Sequence, residues 1–327
     1  MRVVILGSGP ANPIIDRNGK SRRTNSSIVI KHKGKRLLVD CGKNFLEQAD
    51  RESIKRIDAL FITCGHQDNI TGLGSQLDGW LKKNKQETVT IYSEAQTEKQ
   101  IKEKIASKYH KNLKFVRTKL YNKYVVLGDI TAIPARVTHS VQPGFPTVAL
   151  NFSQADDKFT YASDVNTWGK ETEKYLKNLD VLFWDGAGWD RRFFGHRAIL
   201  EDLSMLDALK NKKVIFTQIG RDVPNHEGAE KIISQKVKEG KLKTDFSLGF
   251  DGRVVDVFRI KDKNPKDLIS PDLPGFIRPG YAGLPKEEID VDALINRLTK
   301  LPIDDAKIEL AKLSTEELWA LYNKLKG

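Results

Sequence analysis

Short apolar runs separated by polar turns open the chain. The runs at 2–7, 26–32 and 35–40 have the length and residue types of strands, and Gly34 predicts a hairpin turn between the last two. A fourth run, Ala-Leu-Phe-Ile at 59–62, predicts a buried strand. The first part of the chain is therefore expected to be built from short strands and turns.

Strands and helices alternate through the rest of the predicted core. The predicted strands lie at 88–92, 124–127, 130–136, 147–152, 159–162, 181–184 and 213–217, with a last pair at 246–259. The predicted helices lie at 70–81, 94–107, 169–178, 196–209 and 227–239. This periodicity on its own indicates a mixed α/β fold.

The pattern changes near residue 261, where we place the end of the core domain, 1–261. Residues 262–285 are rich in Pro, Gly and Lys, which predicts an irregular linker. Apolar residues at helical spacing then predict a helical C-terminal extension over 286–327, whose last helix has a capping box and one apolar stripe.

Composition restricts the cellular setting. No apolar run approaches the ~20 residues that span a bilayer, and the N-terminal run is too short for a signal peptide. Cys41 and Cys64 are the two cysteines, too few for a disulfide framework, which suits a reducing compartment. We predict a cytoplasmic protein with no membrane segment.

The charge indicates an anionic partner without identifying it. The formal net charge is +12, which fits nucleic acid but also fits a Lys/Glu-rich surface of the kind common in thermophiles. Between residues 82 and 124, twelve Lys or Arg stand against four Glu and interleave with Tyr109, Phe115, Tyr121 and Tyr124. This stretch either contacts a nucleic-acid backbone and its bases or is a solvated face with its aromatic side chains turned into the core.

The strongest chemical signal follows the buried strand at 59–62. Alternate residues of an extended turn point the same way, so Cys64 and His66 share one side. Thiolate and imidazole are good zinc ligands. Asp68 and Asn69 follow and could direct oxygen atoms at a second position. The sequence therefore predicts a metal-binding loop.

This strand, its loop and the Gly-Leu that opens the next helix resemble the metallo-β-lactamase fold hydrolases. Their usual loop is Thr-His-x-His-x-Asp-His, whereas residues 63–69 read Thr-Cys-Gly-His-Gln-Asp-Asn. The second His and the Asp are kept, the first His is Cys and the last His is Asn. The resemblance implies an α/β fold of the αββα sandwich type, followed here by the C-terminal helical extension.

Further positions match the family in order, up to about residue 258. His139 stands at the third-motif His, and Asp164 at the Asp that bridges two metals in dinuclear members. His196, in a Gly-His pair, matches the branch of the cyclic-phosphate phosphodiesterases and resembles a His of the ribonuclease Z-like tRNA 3′-processing endonuclease. Gln218 replaces the last metal His.

The resemblance implies two metal positions of different quality. Cys64, His66 and His139, with Asp164 as a fourth ligand, make a sound set for one Zn²⁺ per chain. The second position would consist of Asp68, Asn69 and Gln218. Amides are poor zinc ligands, so this position is expected to be empty or weak, although oxygen ligands could hold Mn²⁺ or Mg²⁺.

The function implied by the resemblance is a metal-dependent hydrolase, most like a phosphodiesterase that acts on a nucleic acid or a phosphorylated small molecule. Asp68 would be the general base, and His196 would stabilise the developing charge or protonate the leaving oxygen. A zinc ion with four protein ligands has no open position, so catalysis requires Asp164 to stay off the metal or the coordination to expand.

Two other hypotheses remain open. The chain could be a catalytically inactive member that binds nucleic acid or a protein through its basic surface. It could also resemble the metallo-β-lactamase-like protein of pyrroloquinoline quinone biosynthesis, which has a comparable Asp-Gly-x-x-Trp segment, here at 185–189, but which is expected to carry a cysteine-rich insertion that this chain lacks. The oligomeric state is also open, with a homodimer as one alternative because dimers are common in the fold.

Overall fold

The computed structural model describes residues 1–139, 145–193, 195–257 and residue 296. The strands, in chain order, are β1 (Arg2–Gly7), β2 (Ser27–His32), β3 (Lys35–Val39), β4 (Ala59–Phe61), β5 (Val89–Glu94), β6 (Leu113–Thr118), β7 (Tyr124–Leu127), β8 (Ile130–Thr138), β9 (Thr147–Gln154), β10 (Asp157–Ala162), β11 (Thr167–Trp168), β12 (Val181–Asp185), β13 (Lys213–Thr217), β14 (Asp245–Leu248) and β15 (Val254–Asp256). The helices are α1 (Phe45–Arg51), α2 (Gln67–Ile70), α3 (Ser75–Lys83), α4 (Ala95–Lys104), α5 (Lys170–Glu173), α6 (Ile199–Ala208) and α7 (His226–Glu239). Apart from residue 296, the predicted linker and C-terminal extension lie outside the described residues and stay predictions.

The strands form two sheets. The first has the order β15-β1-β2-β3-β4-β5-β6, and the second has the order β11-β8-β9-β10-β12-β13-β14, with β7 paired to β8. In the second sheet β10, β12, β13 and β14 are parallel, and β8 runs the same way because β9 is antiparallel to both β8 and β10. The carboxyl ends of β8, β10, β12 and β13 therefore lie at one edge of this sheet.

The core is divided into three layers by the two sheets. Apolar residues of both sheets, including Phe61, Phe152 and Phe183, pack against each other between the sheets. On the outer face of the first sheet α1 and α3 bury residues such as Trp80, and on the outer face of the second sheet α6 and α7 bury residues such as Leu206. This arrangement confirms the predicted α/β fold of αββα type.

Two sequence-based expectations need correction. The apolar pair at 246–259 was expected to form a strand pair, but β14 joins the second sheet beside β13 whereas β15 joins the first sheet beside β1. The helix expected over 169–178 is helical only from Lys170 to Glu173. Among the described residues, no helix combines the length and apolar character that crossing a bilayer requires.

The packing between the sheets predicts a large loss of stability for Phe183→Ala. Phe183 is fully buried, and its ring meets those of Phe159 edge-on at 5.7 Å and Tyr161 at 6.3 Å. Truncation to Ala leaves a cavity that the rigid sheets cannot close, so urea unfolding should show a loss of about 3 to 5 kcal/mol. Val125→Ala, at a side chain that is 65% exposed, is the control and should change stability by less than about 0.5 kcal/mol. Equal unfolding midpoints for the two variants would contradict this assignment of the core.

Candidate metal centre

The ends of parallel strands bring the candidate side chains together. His139 follows β8 by one residue, Asp164 follows β10 by two, Asp185 ends β12, and Gln218 follows β13 by one. In open α/β sheets, the carboxyl ends of the strands are the usual place for a binding crevice. The edge of the second sheet therefore carries chemically capable residues from four strands.

The loop at 63–69 reaches this edge from the first sheet. The loop starts at Thr63, whose backbone N–H and side-chain hydroxyl both donate hydrogen bonds to the fully buried carboxylate of Asp40, at 2.9 and 3.0 Å to Oδ1. Thr63 O accepts from Val148 N at 3.1 Å, and Cys64 forms a β-bridge with Thr147 at the start of β9. Asp40 and the bridge thus fix the loop against the second sheet.

All four residues predicted for the first metal position meet in one cluster. Cys64 Sγ lies 3.3 Å from His66 Nδ1 and 3.9 Å from Asp164 Oδ2, and His139 Nε2 lies 3.9 Å from Asp164 Oδ1. The rings of His66 and His139 meet edge-on at 4.8 Å. Ligand atoms around a tetrahedral zinc with bonds of about 2.0 to 2.3 Å are separated by roughly 3.3 to 3.8 Å. Of the three ligand-atom distances, the one between Cys64 and His66 falls within this range, and the two to Asp164, at 3.9 Å, are slightly longer.

Burial governs the titration of Cys64 and His66 in opposite directions. Burial, with a smaller effect from Lys104 and His139, lowers the pKa of His66 to about 4, so its imidazole is neutral, the form that binds metal ions. Burial and the charges of Asp164 and Asp68 raise the pKa of the Cys64 thiol well above its usual value. A bound cation would favour the thiolate. The donor set of one thiol, two imidazoles and a carboxylate fits zinc.

A second group of side chains that could hold a metal ion includes Asp185, for which the sequence predicted no role. His139, Asp164, Asp185 and His196 each offer one ligand atom, and these atoms all lie within 4.8 Å of one another. The rings of His139 and His196 meet at 4.2 Å. His196, which was predicted to be catalytic, is therefore beside the candidate metal ligands. Asp185 completes the group.

Asp185 orients His196. Its Oδ2 accepts hydrogen bonds from His196 Nδ1 at 2.6 Å and Val165 N at 2.9 Å, and its Oδ1 accepts from Ala187 N at 2.9 Å. Burial alone would lower the pKa of His196, but the charge and hydrogen bond of Asp185 outweigh burial and raise it to about 9. Both oxygen atoms of Asp185 are thus occupied, so it serves as the support of His196.

The residues predicted for the second metal position also meet, through amide nitrogen atoms. Gln218 Nε2 donates to Asp68 Oδ2 at 3.2 Å and to Asp164 Oδ1 at 3.0 Å. Asn69 Nδ2 donates to Asp164 Oδ2 at 3.0 Å and to Cys64 Sγ at 3.0 Å. Burial and the charge of Asp164 raise the pKa of Asp68. Asp68 is half-buried, so it can be reached from solvent.

Sequence reasoning missed two residues of this centre. Asp185 ends a strand that the resemblance covers, but the sequence does not show that it pairs with His196, which follows a loop. No role could therefore be assigned to Asp185 from the sequence. Phe145 stacks in parallel on His66, with ring centroids 4.1 Å apart and planes 13° apart. No local signal marked Phe145, because an aromatic residue before a strand is common in any core.

For three of the four aromatic residues named above in the basic stretch at 82–124, the packing favours the solvated-face hypothesis. Tyr109 and Phe115 pack against the apolar layer on the outer face of the first sheet, and Tyr124 packs against the layer between the sheets. Their rings therefore contribute to the core and are not arranged as a platform for bases.

Comparisons with known proteins agree with this geometry. Residues 35–219 match the family described as Beta-lactamase superfamily domain. The chain is 24% identical over 289 residues to an octanoyltransferase of Porphyromonas gingivalis (81% of this chain, 54% of that protein) and 27% identical over 186 residues to a ribonuclease Z of Methanococcus maripaludis (55% of this chain, 57% of that protein). It therefore spans little more than half the length of these curated relatives. A solved diphosphatase of the PhnP family has a TM-score of 0.66 and 25% identity, covering 79% of this chain and 98% of that one.

The support of the loop by Asp40 predicts a specific sensitivity. Asp40 → Ala would leave two buried donors of Thr63 without an acceptor and would place Ala at a φ of +61°, in the left-handed region. We expect a loss of about 2 to 4 kcal/mol in urea unfolding of the metal-free protein. Asp40→Asn keeps an acceptor and tolerates this φ, so its loss should be clearly smaller. Equal losses for the two variants would show that the hydrogen bonds to Thr63 do not matter.

Proposed function

The chain belongs to the metallo-β-lactamase superfamily, in its ribonuclease Z-like branch, and we propose that it is a metal-dependent phosphodiesterase acting on a nucleic acid or a phosphorylated small molecule. The observation that carries the proposal is the pair of Asp185 and His196, joined at 2.6 Å beside His139 and Asp164. A histidine held by a buried carboxylate next to candidate metal ligands is an arrangement suited to acid–base chemistry.

One ion per chain would be held by Cys64, His66 and His139, with Asp164 as the fourth candidate. Zn²⁺ suits this set best, and Mn²⁺ or Mg²⁺ are the alternatives. When bound, the ion supplies a Lewis acid that polarises a phosphate oxygen. Both oxygen atoms of Asp164 already accept hydrogen bonds from amides, which favours three protein ligands and one open position.

His196 and Asp68 would supply the acid and the base of the reaction. Because His196 directs Nδ1 to Asp185, its Nε2 is left to donate to a phosphate oxygen or to protonate the leaving oxygen. Asp68, held by Gln218 and partly open to solvent, would accept the proton of the attacking water. An acid and a base on different elements are what in-line hydrolysis of a phosphodiester needs.

The chemistry of the substrate is supported by the relatives and by charge. The similar proteins include a ribonuclease and a diphosphatase, both named for cleavage at phosphate groups. A net charge of +12 favours an anionic substrate. The name octanoyltransferase belongs to a protein of which the match covers 54%, so it does not decide between these substrates. The two free cysteines suit the reducing cytoplasm, where we expect the protein to act, and a homodimer stays a prediction.

The alternative is a non-catalytic protein that binds nucleic acid or a protein through its basic surface. The high positive charge favours it, whereas the inward packing of Tyr109, Phe115 and Tyr124 does not, since these rings would have to leave the core to stack on bases. A bound metal ion and hydrolysis of a phosphodiester decide between the two functions.

Elemental analysis and hydrolysis of bis-p-nitrophenyl phosphate test the proposal together. We expect about one zinc ion per chain in protein purified without added metal. The ion should be lost in Cys64→Ser and kept in Asp68→Asn and His196→Gln. In the last two variants kcat should fall by about 10²- to 10⁴-fold, because each removes a proton-transfer group.

His226→Gln is the matched control, because His226 is a buried histidine outside the centre, whose backbone N–H donates to Ser21 Oγ at 2.8 Å. It should keep both metal and activity. If the wild-type protein binds no metal even after incubation with zinc or manganese, the hydrolase proposal fails, and binding of nucleic acid on the basic surface becomes the function to test.

A further inference from the structure

Asn69 and Gln218 stand where the resemblance expects two histidine ligands of a second metal ion. Each directs its amide nitrogen at a carboxylate of the centre. Gln218 Nε2 lies 3.2 Å from Asp68 Oδ2 and 3.0 Å from Asp164 Oδ1. Asn69 Nδ2 lies 3.0 Å from Asp164 Oδ2. The two amides and two carboxylates thus form one continuous hydrogen-bonded chain.

The chemistry of the neighbours fixes which end of each amide faces the centre. A carboxylate can only accept, so the oxygen of an amide placed against it would be repelled. The NH₂ group of Gln218 has two hydrogens and meets two carboxylates, one for each hydrogen. Asn69 Nδ2 meets a carboxylate, the thiol of Cys64 at 3.0 Å and the hydroxyl of Thr63 at 3.2 Å. Both amide oxygens are therefore turned away from the carboxylates.

Burial strengthens the hydrogen bonds that the two amides donate. Asn69 and Gln218 are each only 2% exposed, so water does not compete for these hydrogen bonds. Gln218 also adopts a φ of +56°, a conformation that ordinarily favours glycine. Backbone strain of this kind is typical of functional positions, and Gln218 combines it with hydrogen bonds to two carboxylates.

We propose that Asn69 and Gln218 form an amide clamp that replaces the second metal ion. In the clamp, N–H donors join Asp68 to Asp164, the task that a cation bound to both would perform, and the second position admits no ion. This inference rests on the proposed function, because it concerns the same centre. It goes beyond the absence of the two histidine ligands, since hydrogen-bond donors of the protein fill the second metal position. The clamp also holds Asp68 in place through one carboxylate oxygen and leaves the other oxygen free of the clamp.

Metal stoichiometry provides the test. Metal-free protein is titrated with Zn²⁺ and, separately, with Mn²⁺, and bound metal is counted by elemental analysis after gel filtration. The wild-type protein should bind one ion per chain, and the double variant Asn69→His with Gln218→His should bind two. Asn211→His is the matched control: Asn211 is a buried amide that donates to Leu176 O and accepts from Leu179 N, away from the centre, so its variant should stay at one ion.

An isosteric variant tests the clamp even if the double variant does not fold. Gln218→Glu exchanges the donor for a third carboxylate beside Asp68 and Asp164. We expect the melting temperature of the metal-free protein to fall, and a second equivalent of Zn²⁺ or Mn²⁺ to raise it again. Gln86→Glu is the control for the exchange itself, because within the described residues Gln86 exchanges hydrogen bonds with backbone groups alone. It should show no recovery with a second equivalent.

The outcomes separate the clamp from the proposed function. Two ions in the wild-type protein, or a Gln218→Glu variant that melts like the wild type without metal, would overturn the clamp and leave the hydrolase proposal standing. If the wild-type protein binds no ion, the hydrolase proposal is contradicted. The melting temperature of Gln218→Glu would still decide whether amide donors hold the two carboxylates together.

Discussion

The junction between the two sheets at Cys64 and Thr147 is the constraint on which the centre depends. One side of it carries the loop from the first sheet, and the other carries the strand ends of the second sheet. Neither sheet holds all of the candidate ligands: Cys64 and His66 come from the first, whereas His139 and Asp164 come from the second. The centre therefore exists only when the two sheets are packed face to face, and the apolar layer between them is as important to it as its own polar residues.

Each buried carboxylate around the centre accepts hydrogen bonds from its own set of donors. Asp40 is stabilised by the hydroxyl and backbone N–H of Thr63, and Asp185 by two backbone N–H groups and His196. Asp164 is stabilised by two side-chain amides. Because an unpaired buried charge is costly, these hydrogen bonds offset part of the cost of burying three carboxylates so close together.

Local sequence patterns were sufficient for part of the fold and most of the centre. The candidate metal loop is contiguous, so Cys64, His66 and Asp68 could be recognised from spacing. His139, Asp164 and His196 each follow a recognisable strand or begin a short motif. The role of Asp185 could not be read in this way, because it depends on how the loop after β12 returns to the strand end. Likewise, an apolar run shows that β14 and β15 are strands but cannot show that they enter different sheets, which is decided by packing over the whole chain.

The pairing of β1 with β15 has a consequence for the order in which the protein is made. Arg2 lies opposite Asp256 in this pair, so the first sheet gains its last strand only after almost all of the core has been synthesised. Until then β1 is an open edge that can pair with other chains. Contacts between residues so distant in sequence also slow folding. In a newly made chain this edge therefore stays exposed until residue 256 has left the ribosome, and exposed edges of this kind favour aggregation.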